Sequence, residues 1–214
     1  MKDKVGIGEW DIIAEKRQAH AREFLKKYLI CCKGNRVLDV GSGLATLAMY
    51  VASLDKSYVI DCVELSDEMN KIAQENIRGK GLEGRIKIIK TDAKNMALPS
   101  NSYDIVMCCD LLHHIENPAY VINEIARVVK PDGNILIRDI LRPRSQEELE
   151  RIIKERAKDL GNNATDKTVR ESAMAAFTLE EVSEIFRQSN LKGYKITREE
   201  DYQGYLPHVL ILRI

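Results

Sequence analysis

Between Asn35 and Ile140, short β-rich apolar runs alternate with helical stretches of 11 or 12 residues, and this alternation limits the fold more than any other feature. Arg36–Val40, Tyr58–Leu65, Arg85–Lys90, Tyr103–Cys109 and Asn134–Ile140 read as strands, Tyr103–Cys109 as a buried one and Arg85–Lys90 as one near an edge. Leu44–Leu54, Asp67–Arg78 and Pro118–Val129 read as the intervening helices. Ser66 is placed as an N-cap, Gly79 or Gly81 as a stop, and Pro118 sits in a first turn. Pro131-Asp132-Gly133 reads as a turn. Strand–helix alternation of this kind predicts a three-layer α/β/α, doubly wound, mostly parallel sheet. Ligands in such sheets bind outside the C-terminal strand ends, so functional residues are expected just after strands.

The flanks follow other rhythms. Glu9–Ile30 reads as a helix. Ser145 with Glu148, and Thr178 with Glu181, have capping-box spacing, and Phe177 and Val182 are placed as a hydrophobic staple for the second helix. Gly161 to Asp166 reads as a polar loop. Gly193–Arg198 and Leu206–Arg213 look like two closing strands. A chain of 214 residues suits one domain. The expectation is a single domain over 1–214, with an N-terminal helix or cap over 1–33 and a helical, lid-like segment over about 141–190.

Composition narrows the function. Lys+Arg and Asp+Glu are each 33, so the formal charge is zero, which disfavours a uniformly basic nucleic-acid binder. No apolar run approaches the ~20 residues of a membrane helix. Met1 to Asp11 lacks a signal peptide's apolar core, and the five cysteines do not suggest a disulfide framework, so a cytoplasmic protein with no membrane partner is expected.

The first strand runs into Asp39-Val40-Gly41-Ser42-Gly43-Leu44-Ala45-Thr46. A glycine pair here permits a sharp turn and close ligand approach, although a tight βα turn with an incidental acid is the plainer alternative. Thr46 and Asp39 both depart from the dinucleotide fingerprint, which disfavours an NAD-dependent oxidoreductase. Glu64 ends the next strand, 23 residues past Gly41, near the distance expected for a ribose-binding acid. The third strand ends at Thr91-Asp92-Ala93. Three successive strand ends therefore carry Asp39, Glu64 and Asp92, and the loop carries no basic residue, which suits a cationic nucleoside better than a pyrophosphate.

With Val37–Gly43, Cys62–Met69, Thr91–Pro99 and Tyr103–Gly133 in order, the chain resembles the class I S-adenosylmethionine-dependent methyltransferases of the small-molecule type over roughly Asn35 to Asp139. The resemblance implies a Rossmann-like fold of seven strands with the last reversed, and S-adenosylmethionine as cofactor, leaving S-adenosylhomocysteine as product. It implies that Gly41, Ser42 and Gly43 pass under the methionine moiety and that Asp39 orients the amino group or the loop. Glu64 would hold the ribose, Leu65 would pack on the adenine, Asp92 and Ala93 would read its edge, and Cys109 would lie near the methionine. The loop departs from the family in having Ala45 where a third glycine is usual, and Pro131-Asp132-Gly133 replaces Pro-Gly-Gly.

The acceptor side is less legible. Asp110, His113 and His114 follow the fourth strand, and an imidazole could take a proton from an acceptor hydroxyl or amine. A packing role is the alternative for either histidine. Arg142 could clamp an acceptor carboxylate or phosphate, or be a solvated turn residue. Trp10 could stack on the acceptor or anchor the first helix. No metal is expected, since the His pair with Glu116 has no usual ligand spacing. The expected activity is methyl transfer to a small molecule by in-line displacement. The alternative is a non-catalytic cofactor-binding module or regulatory subunit.

Overall fold

A computed structural model describes residues 7–160, 165–199 and 206–214, with the backbone alone for 7–17, 156–160, 165, 166 and 168. Strands β1 (Arg36–Val40), β2 (Val59–Glu64), β3 (Ile86–Lys90), β4 (Tyr103–Cys109), β5 (Val129–Ile140), β6 (Lys195–Glu199) and β7 (His208–Arg213) form a single sheet in the order β3-β2-β1-β4-β5-β7-β6. β1 to β5 run parallel, and β7 is antiparallel to both its neighbours, β5 and β6. The chain moves outward through β2 and β3, returns to β4 beside β1, and then proceeds the other way. The reversal of order between β1 and β4 creates the crevice in which such sheets bind ligands.

The near-continuous apolar strands are buried on both faces. On one side Phe24, Leu25 and Leu29 of α1 (Ile7–Leu29), Val51 of α2 (Thr46–Leu54) and Ala73 and Ile77 of α3 (Asp67–Gly79) pack on Val37, Ile105, Met107 and Leu136. On the other, Val121, Ile122 and Ile125 of α4 (Pro118–Val128) and Val182 and Phe186 of α7 (Leu179–Gln188) pack on Leu38, Val106, Ile135 and Ile137. α5 (Gln146–Leu160) and α6 (Thr165–Ala175) share a smaller core with Ile140 and Leu206, built from Ile152, Val169, Ala173 and Ala176. α7 therefore belongs to the flank of the sheet and not to a lid-like unit with α5 and α6.

The caps behave as their chemistry requires. Ser66 Oγ accepts from Met69 N. Thr178 and Glu181 make both bonds of a capping box, at 3.1 and 2.8 Å. Ser145 Oγ accepts from Glu148 N, but the Glu148 carboxylate accepts from Arg144 N, one residue before the cap. α2 starts at Thr46, not Leu44, because Ala45 is left-handed (φ 58°).

Two readings are corrected. Pro131-Asp132-Gly133 is not a free turn but part of β5. Val129 pairs with Tyr103 and Asn134 with Ile105, so Lys130–Gly133 bulge opposite Asp104 alone. Lys130 Nζ closes that bulge on Asp104 at 2.6 Å. Thr165 and Asp166, expected in a loop, lie in α6, a helix the sequence reading omitted; residues 161–164 and Tyr202-Gln203-Gly204 fall outside the described residues.

Candidate functional site

β1 delivers Asp39 and the glycine loop to the mouth of the crevice. Gly41 (φ 77°) and Gly43 (φ 52°) are left-handed, as is Ala45, which explains why a glycine would be at home at position 45. An alanine there costs on the order of 1 kcal/mol, which the fully buried methyl offsets by packing. Gly41 N and Ser42 N both donate to Val63 O, at 2.9 and 3.0 Å, fastening the loop to β2. A Cβ on Gly41 would lie 2.8 Å from Leu111 Cδ1, whereas one on Gly43 would meet nothing within 4 Å. The loop is thus closed on the Leu111 side and open at Gly43.

Glu64 spans two βα turns. Its Oε2 accepts from Gly43 N at 3.1 Å and its Oε1 from Ser66 N at 2.9 Å. Each oxygen keeps further acceptor capacity. Behind it, buried Asn70 donates from Nδ2 to Glu64 O at 3.1 Å and so holds the end of β2. Asp39 is 3% exposed, and its Oδ2 has no hydrogen-bond partner. Burial, and secondly the neighbouring Glu64 charge, raise its carboxyl to about 7. Ser42 Oγ is likewise buried and unpartnered. Two orphaned polar atoms beside an open glycine make a site short of a polar ligand.

Asp92 follows β3 and accepts from Lys94 N at 2.9 Å, which shapes the turn that carries Ala93. Leu65 is exposed at the end of β2. Cys109 ends β4 with a buried thiol whose pKa is raised well above the ordinary value by burial and by Asp110. These residues lie at the ends of β1 to β4, around one crevice.

Beyond β4 the expected acceptor residues part company. Asp110 is left-handed (φ 54°) and accepts from buried Arg138 NH1 at 3.1 Å. His113 lies in a 3-10 turn (Leu112–His114) with its side chain 2% exposed, and its Nδ1 is 2.6 Å from Asp139 Oδ1. Asp139 also accepts from Leu112 N and Ile140 N, at 2.6 and 2.8 Å. The geometry makes His113 a pin between β5 and this turn, the packing role that stood as the alternative to a base. His114 is exposed, its ring centroid 3.8 Å from that of His113. Arg142 donates from Nε to Ala176 O at 3.1 Å and lies 3.8 Å from Glu181, so it ties α6 to α7. It also borders an open cleft of about 550 Å³ with Gln146, Leu149 and Met174. Trp10 lies in α1, and its side chain is outside the described residues.

Asn70, Arg138 and Asp139 were not among the expected site residues. A charged pair interrupting an otherwise apolar strand, Ile135–Ile140, was the available signal for the last two. Among the described residues no group of three His, Cys, Asp or Glu side chains could hold a metal ion, and no helix is long and apolar enough to cross a membrane.

A reversed seventh strand, a glycine turn after β1 and acids after β1, β2 and β3 define the class I methyltransferase architecture. A family model described as a methyltransferase domain matches residues 38–137, from within β1 through most of β5, and the chain is similar over that stretch to the class I S-adenosylmethionine-dependent methyltransferases. It is 27% identical over 111 residues to the ubiquinone/menaquinone biosynthesis C-methyltransferase of Ectopseudomonas mendocina, covering 51% of this chain and 43% of that protein. The chain spans about half the length of the curated relatives it matches. Its fold matches an S-adenosylmethionine-dependent methyltransferase of Aquifex aeolicus with a TM-score of 0.63 at 19% identity, covering 92% and 89% of the two chains. It also matches a Haemonchus contortus phosphoethanolamine N-methyltransferase, solved with S-adenosylhomocysteine, with a TM-score of 0.61 at 23% identity over 86% and 38%.

Proposed function

We propose that the protein binds S-adenosylmethionine in the crevice at the ends of β1 to β4 and transfers its methyl group to a small-molecule acceptor. The observation that carries this reading is the pairing of Asp39, a buried carboxylate with an unpartnered oxygen, with a left-handed glycine turn bonded to Glu64. A buried acid in that state is short of a cation or a donor, and the cofactor's amino acid end offers an ammonium. Glu64 would take the ribose hydroxyls on the acceptor capacity its two backbone bonds leave over. Asp92 would accept from the adenine amine, with the Ala93 backbone at the ring edge and exposed Leu65 against its face. Gly41, Ser42 and Gly43 would underlie the methionine part, and Cys109 would wall it by packing. When bound, the cofactor supplies an electrophilic methyl group on a sulfonium. The protein's part is to hold the acceptor in line with it, and positioning of that kind accounts for ~7–11 kcal/mol of barrier in favourable cases.

Asp110 and exposed His114 would be the groups that face an acceptor. Arg142 and Trp10 are assigned no contact with it. The neutral charge of the chain and the small-molecule enzymes among its relatives favour a small acceptor over a nucleic acid.

Calorimetric titration with S-adenosylmethionine, S-adenosylhomocysteine and NAD tests the donor half. Both adenosyl ligands should bind, with Glu64→Ala and Asp92→Ala each weakening them at least tenfold. Binding of NAD alone would overturn the proposal. Turnover with any member of a small-molecule panel that includes quinols would exclude a purely binding module.

A further inference from the structure

Arg138 is the largest fully buried side chain, 2% exposed, in a strand that is otherwise apolar from Ile135 to Ile137. Register fixes the way it points. Asp39 pairs with Met107 on β4, Cys109 lies two residues further along the same strand, and Cys109 pairs with Arg138 on β5. Paired residues, and residues two apart, share a face of a sheet. Arg138 therefore projects on the face that carries Asp39 and Cys109, two strands or about 10 Å across from Asp39. α1 covers this face, and Arg138 lies close enough to His20 of that helix to depress its imidazole pKa, after the larger effect of burial.

The guanidinium is only partly used. NH1 donates to Asp110, and Asp110 N donates back to Arg138 O at 2.9 Å. Nε is buried and has no hydrogen-bond partner. A buried guanidinium donor left unmatched, on the same face of the sheet as the orphaned Asp39 Oδ2, marks a place that a ligand atom completes. The charges decide which atom. Asp110 already neutralises Arg138, so the pair has no net charge left to hold an acceptor carboxylate or phosphate. A cation would stand against Arg138. A neutral hydroxyl needs one donor and one acceptor. Arg138 Nε–H is the donor, and the Asp110 carboxylate, with about four lone-pair directions, is the acceptor.

We propose that the pair formed by buried Arg138 and partly exposed Asp110 is an acceptor-recognition site that holds a neutral hydroxyl of the substrate, its oxygen on Arg138 Nε–H and its proton on Asp110. This rests on the crevice being the methyl-donor site, and it assigns the acceptor class as a hydroxylated small molecule. The hydroxyl is a recognition group, and the pair positions it beside the donor.

The test is nuclear magnetic resonance of the arginine Nε–H groups in protein loaded with S-adenosylhomocysteine, with phenol, anisole and benzoate as probes. The Arg138 signal is assigned by its loss in Arg138→Lys, which keeps a cation for Asp110. Phenol should move that signal saturably, and anisole and benzoate should bind at least tenfold more weakly. An unmoved signal with all three probes, or benzoate binding as tightly as phenol, would overturn the proposal. If Arg138→Lys does not fold, Asp110→Asn serves instead. Asparagine tolerates the left-handed backbone there, the Arg138 signal remains, and the preference for phenol over anisole should collapse; its survival would overturn the proposal. Failure of S-adenosylhomocysteine to bind would count against the donor reading alone, because the same titration without it still reads Arg138.

Discussion

Replacing Asp39 with asparagine keeps the shape of the side chain and removes its charge, and the structure predicts opposite consequences for stability and for cofactor affinity. In the folded chain, burial and then Glu64 raise the carboxyl from 3.8 to about 7. The folded state therefore holds the proton more tightly than the unfolded chain. The stability this contributes is complete below about pH 4 and is lost as pH rises through about 7. Between pH 5 and pH 8 the loss amounts to about 3 kcal/mol at 1.36 kcal/mol per pH unit. An asparagine at this position does not titrate, so the stability of Asp39→Asn relative to wild type should rise by about that amount between urea titrations at pH 5 and pH 8. Cofactor affinity should move the other way. With a carboxyl titrating near 7, about a tenth is ionised at pH 6 and about nine tenths at pH 8. If only the ionised form holds the ammonium, the ratio of wild-type to variant affinity rises about tenfold across that range. A stability difference that is flat in pH, or an affinity ratio that does not change, would refute the reasoning.

The two loop glycines should respond differently to alanine. Gly41→Ala forces a methyl group against Leu111 at φ 77° and should cost about 2 kcal/mol or more, read as a fall in melting temperature. Gly43→Ala meets no protein atom, so it should cost only about 1 kcal/mol of backbone strain while weakening S-adenosylmethionine at least tenfold in calorimetry. Asp139→Ala strips the acceptor from Leu112 N, Ile140 N and His113 Nδ1 together, and urea titration should show a loss of about 3–5 kcal/mol.

The positions of Asp39, Glu64 and Asp92 were legible because each lies at the end of its strand or in the turn that follows it. Local pattern therefore placed Asp39, Glu64 and Asp92 at the crevice mouth without knowledge of distant contacts. Position 45 could be read as a departure from a glycine, but not as a left-handed alanine held by burial. The missed helix α6 carries its buried face on Val169 and Ala173, with Ala176 just beyond its end, small residues that give a weak periodic signal. The bulge in β5 hid behind turn chemistry. Pro131 and Gly133 do what turn residues do, yet the strand resumes its pairing at Asn134. His113 was left open between a base and a packing role for a different reason. Its partner Asp139 lies 26 residues away, and only the sheet register brings the two together.

That register also ties the proposed acceptor and donor halves together mechanically. Arg138 and Asp139 are adjacent in β5 and so project to opposite faces. One holds Asp110 and the other holds Leu112 and His113, so both ends of the segment from Asp110 to His113 are fixed by one strand. Between those anchors lies Leu111, whose side chain closes the space beside Gly41. An acceptor engaging Asp110 therefore acts on a segment that also walls the donor loop. The expected signature is non-additivity. Gly41→Ala should cost less in a Leu111→Ala background, because the methyl then enters vacated space and only the backbone strain remains. A double-mutant cycle in urea should give a coupling of about 1 kcal/mol between the two sites. Strict additivity would mean that Leu111 yields freely, and that the two halves of the crevice do not communicate through it.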